Sequence, residues 1–264
     1  MKPTQAPVIF ECDGPVARLI FNRPDVLNAF NQECAVALLE AYRAIEKSPD
    51  IRVVLMKGNG NAFMAGGDVS AFPVSAADAP AFFRDILEPF HDAIEIMMGL
   101  RQPVVAAIHG AVAGGGLSLA MAADLVITAD NTKFTMGYSK LGLSADGSGS
   151  WSLSRLIGLR RALELALLSD VYGAEDALRF GLVNRVVPMT NLFDEADVLV
   201  HRLAQAPTVA LGHMKSLMRQ SFNRSLKEQL EAERDALVAC AVTSDFREGV
   251  NAFVNKRAAA FSGT

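Results

Sequence analysis

The chain has three cysteines among its 264 residues, and Cys12, Cys34 and Cys240 are scattered and odd in number. That argues against a disulfide framework and against a paired-thiol zinc site, and it fits a reducing, cytoplasmic setting. The four histidines, His91, His109, His201 and His213, are equally dispersed, so no metal is expected. A surplus of basic charge is missing too. Lys and Arg number 25 against 29 Asp and Glu, a net charge of -4, so the electrostatic footprint of a nucleic-acid binder is absent. The opening "MKPTQAPVIFECDG" lacks the apolar centre of a signal peptide. The most apolar stretch, residues 112–127, is interrupted by three glycines, Ser118 and Asp124; it reads as a buried helix and strand rather than a membrane span. Small molecules and copies of the chain itself remain as partners.

Apolar residues, by contrast, are plentiful. They make up 51% of the chain, enough for a sizeable core in one large domain or one domain with an appendage. Residues 8–10 and 16–21 read as strands around the turn "DGP". Asn31 is placed to cap a helix running to about Lys47, and "SPD" stops it. "IRVVLMKG" is a β-branched strand, followed by a glycine-punctuated loop that enters a short helix. Residues 78–100 read as a helix bent or broken at Pro89. "PVVAAIHG" and "DLVITAD" are further strands with a glycine-led helix between them. The repeated order of strand, loop, helix and strand implies a parallel sheet with right-handed crossovers. Beyond it residues 141–154 read as loop and then helix and 160–168 as a helix, followed by helix, turn and strand in "GAEDALRFGLVNRVVP". Four helices are expected at about 192–206, 208–221, 225–243 and 245–257. The division drawn on this basis is an α/β core over residues 1–190 and a helical part over 191–264.

Two loops carry chemical interest. "AFMAGGDVSAF" can aim the Gly67 N–H into a cleft, or it can simply be a tight turn with Asp68 as an N-cap. "AVAGGGLSLA" can offer the Gly115 N–H, backed by the positive end of the following helix, or its glycines can serve close packing. Each plain reading suffices for its own loop. Taken together the loops say more, because each follows an expected parallel strand. Loops at the carboxyl ends of neighbouring parallel strands converge on one crevice. Two N–H groups meeting there can hold the oxygen of a polarised carbonyl, at about 3–4 kcal/mol per donor in a transition state.

With "NRPDVLNAFN", "NAFMAGGDVSAF", "GAVAGGGLSLAMAADLVI", "GLVNRVV" and "EGVNAFVNKR" in that order, the chain resembles the enoyl-CoA hydratase/isomerase (crotonase) family over nearly its whole length. The resemblance implies an α/β spiral of repeated ββα units with a helical C-terminal trimerisation region, assembled as trimers or dimers of trimers. It implies acyl-CoA thioester substrates, with coenzyme A as part of the substrate and no separate cofactor. It makes the N–H groups of Gly67 and Gly115 an oxyanion hole. It also places Val26, Asn28, Ala65, Asp68 and Val69 along the CoA groove, and Phe253 and Lys256 near the CoA, that of a neighbouring subunit included.

Hydratases of the family carry two glutamates, and the matching positions here are Ser118 and Tyr138. Neither supplies a carboxylate base. "YSKLGLSADGSGSW" is instead similar to a segment of isomerase members, which puts their catalytic aspartate on Asp146; Ala145 stands where proline is usual. The plain alternative for Asp146 is a turn residue before glycine. As acid/base, Asp146 would shift a Δ3 double bond to Δ2, or assist ring expansion of an epoxyphenylacetyl-CoA. An enoyl-CoA hydratase with an atypical base and a non-catalytic acyl-CoA-binding protein are the other readings. Tyr138 is placed either to contact substrate or to pack. His109 reads as structural, Ser118 as a small polar pocket residue, and Trp151, Met97 and Met98 as core or pocket wall. The basic groups at 159–161 and 255–257 read as solvated faces, with CoA phosphates as the functional alternative.

Overall fold

The computed structural model of the protein describes residues 6–264; the first five residues of the N-terminal stretch lie outside it. Strands β1 (Val8–Asp13) and β2 (Val16–Phe21) form a hairpin that turns at Gly14 and Pro15. Helix α1 (Gln32–Lys47) starts as expected on Asn31, whose side chain accepts the Cys34 N–H at 3.0 Å. Then come β3 (Val53–Gly58), α2 (Ala79–Gly99), β4 (Val104–Ile108), β5 (Ala111–Ala113), α3 (Gly115–Ala122), β6 (Leu125–Ala129) and β7 (Lys133–Thr135). The chain continues through α4 (Gly149–Ile157), α5 (Leu159–Leu168), β8 (Tyr172–Gly173), α6 (Ala174–Phe180) and β9 (Arg185–Val187). It ends in α7 (Leu192–Ala204), α8 (Thr208–Gln220), α9 (Leu226–Ala241) and α10 (Ser244–Val254).

The main sheet runs β1-β2-β3-β4-β6-β9 and is parallel everywhere except between β1 and β2. A smaller sheet runs β5-β7-β8. The expected α/β spiral emerges from how the two are fed. β4 passes from the main sheet into β5 of the small one, and β6 passes likewise into β7. After β3 the corresponding piece is Met64, which bridges in parallel to Val112. Each turn therefore delivers one strand to each sheet.

The central strands are apolar on both faces, and the period of two explains the division. Val54, Met56, Val104, Ala106 and Ile108 join the large core with α1, α2 and α3. Their neighbours Val53, Leu55, Val105 and Ala107 pack under Leu192, Ala196 and Val200 of α7. Strands buried on both sides read as continuous hydrophobic runs for this reason.

Two expectations are corrected here. Helix α2 is continuous across Pro89; proline costs one N–H and crowds the preceding turn, but packing along the rest of the helix holds it together. The short helix after Asp68 is a single 3-10 turn, Val69–Ala71, without a side-chain cap. Helix α7 closes one face of the main sheet. The helices after it are attached by ion pairs. Asp124, at the head of β6, takes Lys215 at 2.8 Å and Arg219 at 2.7 Å from α8. Among the described residues no helix is long and apolar enough to cross a membrane.

Candidate active site

The loops that follow β3 and β4 lie side by side because main-chain bonds zip them together. Phe63 N–H donates to His109 O at 2.8 Å, Met64 N–H to Ala111 O at 3.3 Å, and Ala113 N–H to Met64 O at 3.1 Å. A methyl group on Gly66, whose φ is +100°, would stand 3.1 Å from Ala113 O. The second half of each loop then lines one cavity of about 410 Å³.

The three consecutive glycines there have three different causes. Gly114 has φ 48° and ψ -123°, a conformation that disfavours any side chain. Gly116 lies so close to Met64 that a methyl group would collide with its carbonyl oxygen. Gly115 answers to neither constraint, since its nearest neighbour would be a Phe90 ring atom at 3.8 Å. Gly115 differs from Gly116 in lining the cavity, and from Gly114 in its N–H. Gly114 N–H donates to Thr135 O at 3.1 Å and Ser118 N–H to Gly114 O at 3.0 Å, while the Gly115 N–H opens α3 with no protein acceptor among the described residues. The helix end behind it adds positive potential.

Gly67 is spared in the same way. Phe30 N–H bonds Gly66 O at 2.7 Å and Asp68 N–H bonds Phe30 O at 2.8 Å, so the main chain is pinned on both sides of Gly67 while its own N–H has no protein acceptor among the described residues. Both glycines line the cavity. Two free donors on one apolar wall can together hold a partly anionic oxygen.

Asp146 stands in the same cavity, on the loop before α4. Its carbonyl oxygen accepts from Gly149 N–H at 2.9 Å and from the Tyr138 hydroxyl at 3.2 Å. Its carboxylate Oδ1 lies 2.6 Å from Nε2 of His91 on α2, and the Asp146 side chain is 21% exposed. Apart from Tyr138 and Ser144, the remaining side chains of the lining are apolar, with Phe30, Phe72, Phe83 and Phe90 among them.

A model of the family described as "Enoyl-CoA hydratase/isomerase" matches residues 11–264. The chain belongs to that family. It is 37% identical to the 1,2-epoxyphenylacetyl-CoA isomerase of Escherichia coli, over 97% of this chain and 98% of that one. It is 33% identical to the trans-2-decenoyl-(acyl-carrier-protein) isomerase of Streptococcus mutans, over 97% and 98% of the two chains. Among solved structures, an enoyl-CoA hydratase from Polaromonas superimposes with a TM-score of 0.91 at 35% identity, over 96% of this chain and 99% of that one. The α/β architecture is thus the crotonase fold, and the protein is an acyl-CoA enzyme of the hydratase/isomerase family.

Within that family the two positions expected to hold hydratase glutamates are tied to each other. The hydroxyls of Ser118 and Tyr138 lie 3.1 Å apart. Ser118 is fully buried, and a methyl group on Gly149 would stand 2.6 Å from its Oγ. Burial pushes the Tyr138 hydroxyl up to about 12, so it is a neutral donor. The two side chains form a relay of bonds that ends on the Asp146 main chain.

The other site residues read from sequence divide into two groups. Ala65, Val69 and Tyr138 join Gly67, Gly115 and Asp146 on the cavity wall. Val26 is exposed on the turn beside it, held near by the bond from Ala65 N–H to Leu27 O at 3.1 Å. Asn28 and Asp68 are engaged internally instead. Asn28 is buried, donates to Ala62 O at 2.7 Å and Asn59 O at 2.9 Å, and accepts the Arg23 N–H at 2.7 Å. It therefore staples the turn to the loop after β3. Asp68 pairs with Arg23 at 2.9 Å, and the Ser70 hydroxyl and Arg23 hold its carboxyl below the usual range. Phe253 and Lys256 sit at the end of α10 and line no part of this cavity in the same chain.

His109 is buried and bonded to Gly60 O at 3.0 Å, as a structural histidine should be, and burial lowers its pKa. Trp151 stacks under Arg155 at 4.0 Å, away from the cavity. The residue sequence reasoning missed is His91. Its signal was available: the cavity stripe of α2, Phe83, Ile86, Leu87 and Phe90, has helical spacing, and His91 follows Leu87 by one turn.

Proposed function

We propose that the protein is an acyl-CoA isomerase that moves a proton between two carbons of an unsaturated acyl thioester. The supporting observation is the convergence of two unpaired amides and a single carboxylate, those of Gly67, Gly115 and Asp146, on one cavity. Asp146 as carboxylate removes a proton from the α-carbon of a 3-enoyl-CoA. The C–H electron pair moves into the thioester, and the dienolate oxygen is held by the Gly67 and Gly115 N–H groups, an oxyanion hole. Asp146, now the neutral acid, returns the proton to the γ-carbon, and the double bond ends conjugated with the thioester. One acid/base serves both carbons because they flank a short allylic unit. The chemistry needs a proton carrier and an anion holder, so coenzyme A is read as part of the substrate, with no separate cofactor. Ring expansion of an epoxyphenylacetyl-CoA, the substrate in the name of the E. coli relative, would use the same groups, with the aspartate assisting C–O cleavage.

Self-association belongs to this reading. Helices α8–α10 leave Met218, Leu226, Val242 and Phe253 exposed, an apolar face suited to a trimer or dimer of trimers. Phe253 and Lys256 would then meet the CoA of a neighbouring copy. The setting we assign is cytoplasmic, with no membrane or nucleic-acid partner.

The deciding experiment is Asp146→Asn assayed on trans-3-hexenoyl-CoA. Turnover should fall by about 10²–10⁴-fold, the range of a lost general base, with acyl-CoA affinity retained. Undiminished turnover ends the assignment. Incubation with a 2-enoyl-CoA should yield no 3-hydroxyacyl-CoA; its formation would replace the isomerase by a hydratase.

A further inference from the structure

The main chain and the side chain of Asp146 are anchored by different groups. Its carbonyl oxygen is held from below by Gly149 N–H at 2.9 Å and by the Tyr138 hydroxyl at 3.2 Å. These bonds place the residue but leave the carboxylate free to turn, because the final torsion of an aspartate is broad and two-fold. Only one group touches the carboxylate among the described residues: His91 Nε2, 2.6 Å from Oδ1. Oδ2 has no hydrogen-bond partner among the described residues.

His91 itself is built to hold that one contact. It stands on α2, the helix whose Phe83, Ile86, Leu87 and Phe90 wall the cavity. Its ring is 53% exposed, so it reaches the carboxylate from the rim and leaves the cavity floor to the acyl group. The bond joins residues 55 apart in sequence, across the gap between a helix and a loop.

We infer that His91 is a positioning residue that acts through Asp146. Its Nε2–H donates to Oδ1 and holds the carboxylate at one angle, so that Oδ2 is the oxygen presented to substrate carbon. A charge-assisted bond of this length is strong and directional. The inference rests on Asp146 being the acid/base.

The test is a double-mutant cycle in the full-length protein, with trans-3-hexenoyl-CoA as probe. His91→Leu should lower kcat by about 10–100-fold, as a misaimed reacting group does, while KM changes little. His91→Gln, which keeps an N–H donor of similar reach, should recover most of the loss. In an Asp146→Asn background, His91→Leu should cost nothing further, because its effect passes through the carboxylate. Undiminished kcat in His91→Leu, full additivity with Asp146→Asn, or a glutamine no better than leucine would each overturn the inference. These outcomes are separate from failure of the isomerase reading, which shows as full activity in Asp146→Asn. Crystals of the variants give a readout that needs no turnover. The Asp146 side chain should take several orientations in His91→Leu and keep the present one in His91→Gln; an unchanged single orientation in His91→Leu overturns the proposal.

Discussion

On one side of the cavity, Gly67 and Gly115 are held by the main chain. The bonds at Phe30, Met64 and Ala113 tie the two loops to each other and to the neighbouring chain, and all of them are main-chain bonds. On the other side, Asp146 and His91 meet through side chains alone, from a loop and a helix. The backbone wall is an extension of the sheet and inherits its rigidity. The side-chain wall depends on two torsions and one hydrogen bond. A family that keeps the first wall and varies the second can change its reaction without changing its anion-binding geometry, which fits relatives named both isomerase and hydratase at 31–37% identity.

The sharpest way to break this contrast is Asp146→Asn. It should abolish most turnover yet leave the fold and acyl-CoA binding in place, since the amide wall is untouched. The effect of His91→Leu should be next in size and confined to kcat.

Substitutions on the amide wall should behave in the opposite way, acting through stability. Gly116→Ala drives a methyl group into the Met64 carbonyl, and such overpacking costs about 1–3 kcal/mol. Thermal melting should fall, and turnover with it, as the two loops part. Gly115→Ala should do neither, for the methyl meets only Phe90 at 3.8 Å and the N–H survives. Melting within about 0.5 kcal/mol of the parent is expected there. If Gly115→Ala melts as low as Gly116→Ala, the glycine at 115 is structural after all.

Among the substitutions expected to lower turnover, the smallest effect should come from Tyr138→Phe. It removes the bonds to the Asp146 carbonyl and the Ser118 hydroxyl but leaves the bond from Gly149 N–H to that carbonyl. A loss near 1 kcal/mol in stability is expected, with a modest fall in kcat. Turnover as low as in His91→Leu would show that the main-chain anchor matters as much as the side-chain one.

Much of the fold was legible. Apolar, β-branched strand runs, the Asn31 cap and the four C-terminal helices are local patterns, and they appear within a few residues of where they were expected. Other features were hidden for physical reasons. Pro89 is a strong local breaker, and only the packing of α2 along its whole length overrides it. Asn28 and Asp68 are polar residues beside turns. Such residues look alike in sequence whether they bond their own backbone or face a ligand, and here they bond Ala62, Asn59, Arg23 and Ser70. Residues 191–204 have the periodicity of any amphipathic helix, which says nothing about whether the apolar face covers a sheet or begins a new unit.

The sequence by itself determined the composition of the site: two glycine loops after parallel strands, no glutamate at residues 118 and 138, and one aspartate at 146. Those are matters of residue type and local conformation. Only the tertiary structure decided which glycine N–H is left without an acceptor and that His91 closes on Asp146. Both depend on how close segments distant in the chain are brought, and that closeness is set by the packing of whole helices and strands rather than by any residue's neighbours in sequence.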